Sequence, residues 1–161
     1  MTMHAVLESP VGPLTLVARD SELVGLYMGE QLHLPPRTTF GRRDDRSLPA
    51  MREQLLAYFA GELREFEVAL APRGTPFQTS VWSALREIPY GSTCSYGDLA
   101  AAVGHPTAVR AVGAANGRNP IGIVVPCHRV VGSGGSLTGY AGGLERKRYL
   151  LDLESQQRLA F

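Results

Sequence analysis

Over residues 1–30, apolar positions alternate with polar ones in short runs separated by turn chemistry, a pattern that predicts an antiparallel meander. Residues 4–8 read as extended and Ser9-Pro10-Val11-Gly12 as a turn; Leu14, Leu16 and Ala18 then alternate with Thr15, Val17 and Arg19. Asp20-Ser21 turns the chain into a third extended run, Leu23 to Met28. Pro35 to Arg46 is charged and aperiodic, so an exposed, mobile loop is expected there. A helix should follow Ser47, with Pro49 in its first turn and Met51, Leu55, Leu56 and Phe59 on one side.

Ala71-Pro72-Arg73-Gly74 reads as a linker dividing the chain into a unit 1–72 and a unit 73–161, and beyond it the periodicity becomes helical. Thr75-Pro76-Phe77-Gln78 has the form of a capping box with proline at the first helical position, opening a helix with an apolar stripe of Phe77, Val81, Trp82 and Leu85 that stops before Pro89. Ser95-Tyr96-Gly97-Asp98 is a second capped start. Leu99 to Val103 forms a short helix ended by Gly104, and Gly104-His105-Pro106-Thr107 turns into another from Ala108 to Asn116. Two brief helices joined by such a turn resemble a helix-turn-helix. Ala108, Ala111, Gly113, Ala114 and Ala115 leave one face of the second helix almost without side chains, and Arg110 projects from the same element. A small-residue surface with one long cation suits a DNA groove; tight packing against another helix is the competing reading. The chain closes with six glycines over residues 132–143 and a helix from about Leu144 to Glu154, with Arg146, Lys147 and Arg148 near its start and Leu150, Leu151 and Leu153 for the core.

The chain's 161 residues, 44% of them apolar, suffice for one or two compact domains. Two cysteines, Cys94 and Cys127, make neither a disulfide framework nor a zinc spacing, and a reducing interior is the natural home. Without a signal-peptide pattern or an uncharged apolar run near the ~20 residues of a membrane span, a cytoplasmic location is expected. The net charge of +1 conceals an asymmetry. Residues 1–72 carry seven Arg against ten acidic groups (−3), and residues 73–161 carry eight Arg and one Lys against five (+4). A basic C-terminal half fits a polyanion on one face, as does an ordinary solvated surface.

The chemistry centres on Ile121-Gly122-Ile123-Val124-Val125-Pro126-Cys127-His128-Arg129-Val130, where a thiol ends an apolar, strand-like segment beside a histidine and an arginine. The thiolate is the reactive form and needs a cationic or proton-accepting neighbour, for which His128 and Arg129 are candidates. A buried, inert core cysteine is the alternative. Cys94, in a capping turn, is expected to be structural.

Several blocks carry a resemblance: Phe77-Gln78, Ile88-Pro89-Tyr90-Gly91, Ser95-Tyr96, Ala108-Val109-Arg110-Ala111-Val112-Gly113, Asn119-Pro120, Pro126-Cys127-His128-Arg129-Val130 and Tyr140-Ala141-Gly142-Gly143-Leu144. From about Thr75 to Glu154 the chain resembles the DNA alkyltransferases that repair O6-alkylguanine, the methylated-DNA-protein-cysteine methyltransferases. The resemblance implies an α+β fold: a small antiparallel sheet plus helix, ribonuclease-H-like, then a mainly helical, winged-helix-like domain with the helix-turn-helix. It implies a monomer that binds double-stranded DNA in the minor groove and no membrane, with cooperative binding along DNA left open, and that flips the alkylated base out of the stack. Cys127 would take the alkyl group irreversibly as a thioether, once per molecule, without metal or organic cofactor. His128 would accept the thiol proton through a water and be held by Glu154, while Asn119 would join the recognition helix to the active-site turn.

In the same carry-over, Arg110 fills the space left by the base and Tyr96 meets the adjacent phosphate with its hydroxyl near the departing oxygen. Val130 and Tyr140 line the base pocket, the main-chain N–H of Ala141, where some members have serine, binds that oxygen, and Ala108, Gly113 and Ala114 lie along the groove. A structural zinc, held in the N-terminal half of some relatives, is not expected, since no cysteine precedes Cys94. The rivals are a protein that binds alkylated DNA without repairing it, a cysteine hydrolase, and a DNA-binding regulator with a redox-sensitive thiol.

Overall fold

The computed structural model describes residues 1–159, with the side chains of 156–159 outside the description. Strands β1 (Thr2–Leu7), β2 (Leu14–Arg19) and β3 (Glu22–Met28) form the expected antiparallel meander. Asp20 and Ser21 both take positive φ, 50° and 70°, as a two-residue turn matching the twist of the flanking strands requires. Residues 35–46 are not simply an exposed loop. Arg37–Phe40 forms a turn of 3₁₀ helix and Arg42–Arg43 is a short β4 paired parallel to β1. Phe40 is the anchor: it is buried, stacks on Tyr27 at 5.5 Å and meets His4 edge-on at 5.8 Å. One aromatic residue, invisible to periodicity, ties down an otherwise polar stretch.

Helix α1 (Pro49–Phe59) starts at proline as expected, but its inner face is Met51, Leu55 and Tyr58, spaced i, i+4, i+7. Leu56 instead lies 51% exposed, and Phe59 is only partly buried. Helix α2 (Pro76–Leu85) has both bonds of the capping box, Gln78 N–H to Thr75 Oγ1 at 3.1 Å and Thr75 N–H to Gln78 Oε1 at 3.0 Å. A Cβ on Gly74 would lie 2.4 Å from the Trp82 ring, so the linker passes this indole only as glycine. Trp82 donates from Nε1 to Ala115 O at 2.8 Å, tying α2 to α4 (Val109–Gly117). The other half of the helix-turn-helix is α3 (Tyr96–Ala102), capped by Ser95 and Asp98 and ended by Gly104 at φ 79°.

Two residue pairs, Cys94–Ser95 (β5) and Val130–Val131 (β6), form a small parallel sheet beside α3, and α5 (Leu144–Leu159) closes the chain. The apolar run before Cys127 is not a strand. Its one ladder contact is the bridge Leu26↔Ile121, with Leu26 N–H donating to Pro120 O at 2.9 Å and Gly122 N–H to Leu26 O at 3.2 Å. The edge of the N-terminal sheet therefore holds the segment that leads into the thiol. One apolar cluster runs from Leu7 and Leu14 through Leu55, Tyr58, Trp82 and Val112 to Leu150, so both halves of the chain share a core. Among the described residues no helix is long and apolar enough to cross a membrane.

Candidate active site and DNA-facing surface

Residues 121–129 are irregular because their side chains, not a ladder, satisfy the backbone. Asn119 accepts from Ile121 N–H at 3.0 Å and donates from Nδ2 to Val125 O at 2.8 Å. Ile123, a β-branched residue, is held at φ 70°, a conformation that such residues avoid and that persists only where surroundings fix it. The chain then enters a 3₁₀ turn, Cys127–Arg129, with all three residues buried. Asn116 of α4 reaches the same turn, donating from Nδ2 to Cys127 O at 3.4 Å. The helix that bears Arg110 is thus bonded directly to the turn that bears the thiol.

Behind the turn lies Glu154, 1% exposed, which gathers four donors onto two oxygens. His128 Nε2 lies 2.8 Å from Oε2; Arg129 grips both oxygens, Nε to Oε1 at 2.8 Å and Nη2 to Oε2 at 3.0 Å; Tyr58 donates its hydroxyl to Oε2 at 2.6 Å. Burial pushes the carboxyl pKa up, but bonds and charge from His128 and Arg129 outweigh it and hold the value at about 2. Burial pushes His128 the other way, below its usual value, against the pull of Glu154, so the imidazole rests neutral at physiological pH. Its Nδ1 is buried without a hydrogen-bond partner among the described residues.

The thiol of Cys127, 6% exposed, is raised by burial and pulled back by a hydrogen bond from Asn119 and the charge of Lys147. Arg129, a candidate cation for the thiol from its place in sequence, is turned instead to Glu154 and to Ile88 O at 2.7 Å. Lys147 supplies the cation. It is fully buried rather than part of a solvated basic helix start, and its ammonium donates to Val130 O at 2.6 Å, Thr138 O at 2.7 Å and Gly139 O at 3.3 Å. Sequence reasoning passed over Lys147, Tyr58, Asn116 and the true partner of Arg129. The one available signal was compositional: Lys147 is the only lysine beside fifteen arginines.

A cleft of about 570 Å³ opens between α4 and the glycine-rich loop, with Tyr96, Gly113, Ala114, Tyr140 and Ala141 in its walls and Leu32 and His33 contributed by the N-terminal half. The Tyr96 hydroxyl spans to Gly139 O at 3.5 Å. Burial, and then the nearby Cys127, raise the Tyr140 phenol well above its usual value, so it stays a neutral O–H. Val130 is not a wall of this cleft; it is fully buried in β6 opposite Cys94, a thiol itself raised by burial. On α4, Arg110, Ala111 and Ala114 are exposed and Ala108 and Gly113 half-buried, whereas Ala115 turns inward and leaves the outward small-residue face. Among the described residues no group of three or more His, Cys, Asp or Glu is gathered to hold a metal ion.

Known proteins resemble this chain along almost its whole length. Residues 2–72 match the family model of the 6-O-methylguanine DNA methyltransferase ribonuclease-like domain and residues 76–156 that of the DNA-binding domain. The methylated-DNA–protein-cysteine methyltransferase of Mycobacterium tuberculosis is 54% identical over 157 residues, covering 98% of this chain and 94% of that protein. The constitutive enzyme of Bacillus subtilis is 44% identical over 158 residues, covering 96% of each. The crystal structure of the M. tuberculosis O6-methylguanine methyltransferase superposes with a TM-score of 0.91 at 54% identity, over 98% of this chain and 94% of that one. The M. tuberculosis protein in complex with DNA gives the same TM-score at 52% identity, over 96% and 94%. With both domain models matched in order and relatives this similar along almost the full length, the chain belongs to the 6-O-methylguanine DNA methyltransferase family.

Proposed function

We propose that the protein repairs duplex DNA by moving the alkyl group of O6-alkylguanine onto Cys127. The observation that carries this reading is the pairing of a buried thiol with a histidine that rests neutral, its Nε2 bound to an ionised Glu154 and its Nδ1 without a partner among the described residues. Burial raises the thiol, so it is protonated until a base acts. His128 accepts that proton at Nδ1 through a water, Glu154 stabilises the imidazolium through Nε2, and Lys147 and Asn119 favour the thiolate. Sulfur then forms a bond to the alkyl carbon as the carbon–oxygen bond breaks, and the electron pair leaves on guanine O6, which returns to the neutral base by gaining a proton. The thioether has no carbonyl for water to attack, so each molecule reacts once.

The base reaches the thiol only if rotated from the stack. Arg110, exposed on α4, takes its place in the duplex, and Tyr96 sits at the adjacent phosphate. Tyr140 and the main-chain N–H of Ala141 receive the base and its O6, with Val130 behind them as packing. Ala108, Gly113 and Ala114 let the backbone of α4 approach the minor groove, a mode in which phosphates and shape give affinity and sequence matters little. The molecule acts as a monomer, in the cytoplasm, through two units meeting at residues 72–73. Intact-protein mass spectrometry after mixing with duplex DNA bearing O6-methylguanine tests the proposal. One methyl per protein, confined to the Cys127 peptide and absent from Cys127→Ser, is expected; tight lesion binding without mass gain overturns it.

A further inference from the structure

Glu154 is held from three sides, and one of those sides belongs to the other half of the chain. Tyr58, on the inner face of α1, is completely buried and lies 96 residues away in sequence, yet its hydroxyl makes the shortest bond in the cluster, 2.6 Å to Glu154 Oε2. That oxygen is the one facing His128 Nε2. The Tyr58 ring is fixed by aromatic neighbours, Phe59 and Phe66 at 5.3 Å and Tyr90 at 6.3 Å, so the hydroxyl cannot be re-aimed cheaply. Burial, and then the Glu154 charge, raise its own pKa well above 10.0, so it remains a donor at every working pH.

We propose that Tyr58 is a positioning residue that sets the basicity of His128 through the oxygen they share on Glu154, which makes the N-terminal half a contributor to the alkyl-transfer chemistry. The proposal rests on the reading of His128 as the base for Cys127. A hydroxyl donating to Oε2 draws off part of the negative charge that would otherwise stabilise a protonated His128, and so favours the neutral imidazole that can accept a proton. The direction of the effect is fixed by Arg129. Because it grips both carboxylate oxygens, loss of the Tyr58 bond leaves Glu154 in place with more charge directed at His128, rather than releasing it. The other charged or titratable groups near the pair are Arg129 on the same turn, Lys147 on α5, Cys127 beside it, Tyr140 on the glycine-rich loop, and Tyr90, which lies near Glu154 with Arg129 5.7 Å from its ring centre. Of the groups bonded to Glu154, only Tyr58 can lose its bond without a change of formal charge or of ring packing.

Tyr58→Phe in the full chain is therefore the test, read in two ways. The first is the pKa of the His128 imidazole by nitrogen NMR, and the second is the pH profile of single-turnover methyl transfer from an O6-methylguanine duplex between pH 5 and 8.5. The variant is expected to raise the imidazole pKa by about half a pH unit or more and to move the acid limb of the profile upward by the same amount, so that transfer on that limb falls about threefold. An unchanged imidazole pKa, or an imidazole neutral across the whole range in both proteins, overturns the proposal. A raised imidazole pKa without movement of the limb upholds the control of His128 by Tyr58 and refutes instead the assignment of His128 as the base.

Discussion

The cluster around Glu154 and the outward face of α4 solve opposite problems within one molecule. At Glu154, side chains from α1, α5 and the Cys127–Arg129 turn converge until each carboxylate oxygen is engaged. On α4, Arg110 stands among Ala108, Ala111, Gly113 and Ala114, positions where little side chain is present. A buried charge network holds one geometry because removing a charged member strands the other charges in a medium without water. On the proposed function, the α4 face works by subtraction, since every added atom would hold the backbone away from a duplex. Asn116 joins the two, since α4 carries the outward small-residue face and its Asn116 side chain bonds the carbonyl of Cys127.

If that contrast is correct, substitutions in the first region must damage stability and chemistry together, and those in the second must touch only DNA. The largest effect is expected from Glu154→Ala, which leaves Arg129 and His128 buried without their acceptor; stability should fall by about 3–5 kcal/mol in urea denaturation, with loss of methyl transfer. Lys147→Met comes next. It keeps the volume but frees three carbonyls and removes the cation near the thiol, so about 1–3 kcal/mol of stability should go, and the bromobimane-reactivity profile of Cys127 should move to higher pH.

Acid separates the regions without mutation. Because the folded pKa of Glu154 is about 2 against 4.5, its contribution is complete above 4.5 and is lost as pH falls towards 2. His128, lowered from 6.5, likewise stabilises the fold above 6.5 and ceases to do so as pH falls through its folded value. Urea midpoints should therefore decline steadily below about pH 6.5, and Glu154→Gln, already weakened, should be flat between 4.5 and 2 in the contribution from residue 154. Smallest in stability is Gly113→Ala. The added Cβ would lie 3.7 Å from the Tyr96 ring, an ordinary contact, and alanine favours helix by up to about 1 kcal/mol, so melting should be unchanged or higher while DNA affinity falls in a salt titration.

How much of this was legible in the sequence follows from the range of the interactions. Capping boxes at Thr75 and Ser95 and the Asp20-Ser21 turn are local, and the structure follows them closely, whereas the alternation of β2 holds only from Leu14 to Leu16, because Tyr27 and Phe40 bury Val17 on the other face. Phe40 in a polar loop, Tyr58 rather than Leu56 on the inner face of α1, and the irregular path of residues 121–125 depend on what lies opposite in space, which periodicity does not encode. The same divide runs through the site. Cys127 and His128 are adjacent and announce themselves, and Glu154 and Asn119 came from resemblance to a family. The buried ammonium of Lys147 reads along the chain as one more basic residue at a helix start, because its acceptors are main-chain carbonyls of β6 and the glycine-rich loop.

If chemistry and DNA handling are separate in this molecule, methyl transfer to Cys127 from an O6-methylguanine duplex and from the free O6-methylguanine base should respond differently to Arg110→Ala. Arg110 is exposed on α4, outside the bonds that hold Glu154, His128 and Cys127. In Arg110→Ala the rate constant with duplex should fall at least tenfold, while that with free base stays within about twofold of wild type and stability within about 0.5 kcal/mol. An equal fall with both substrates would contradict that separation, since Arg110 would then act on the thiol chemistry itself.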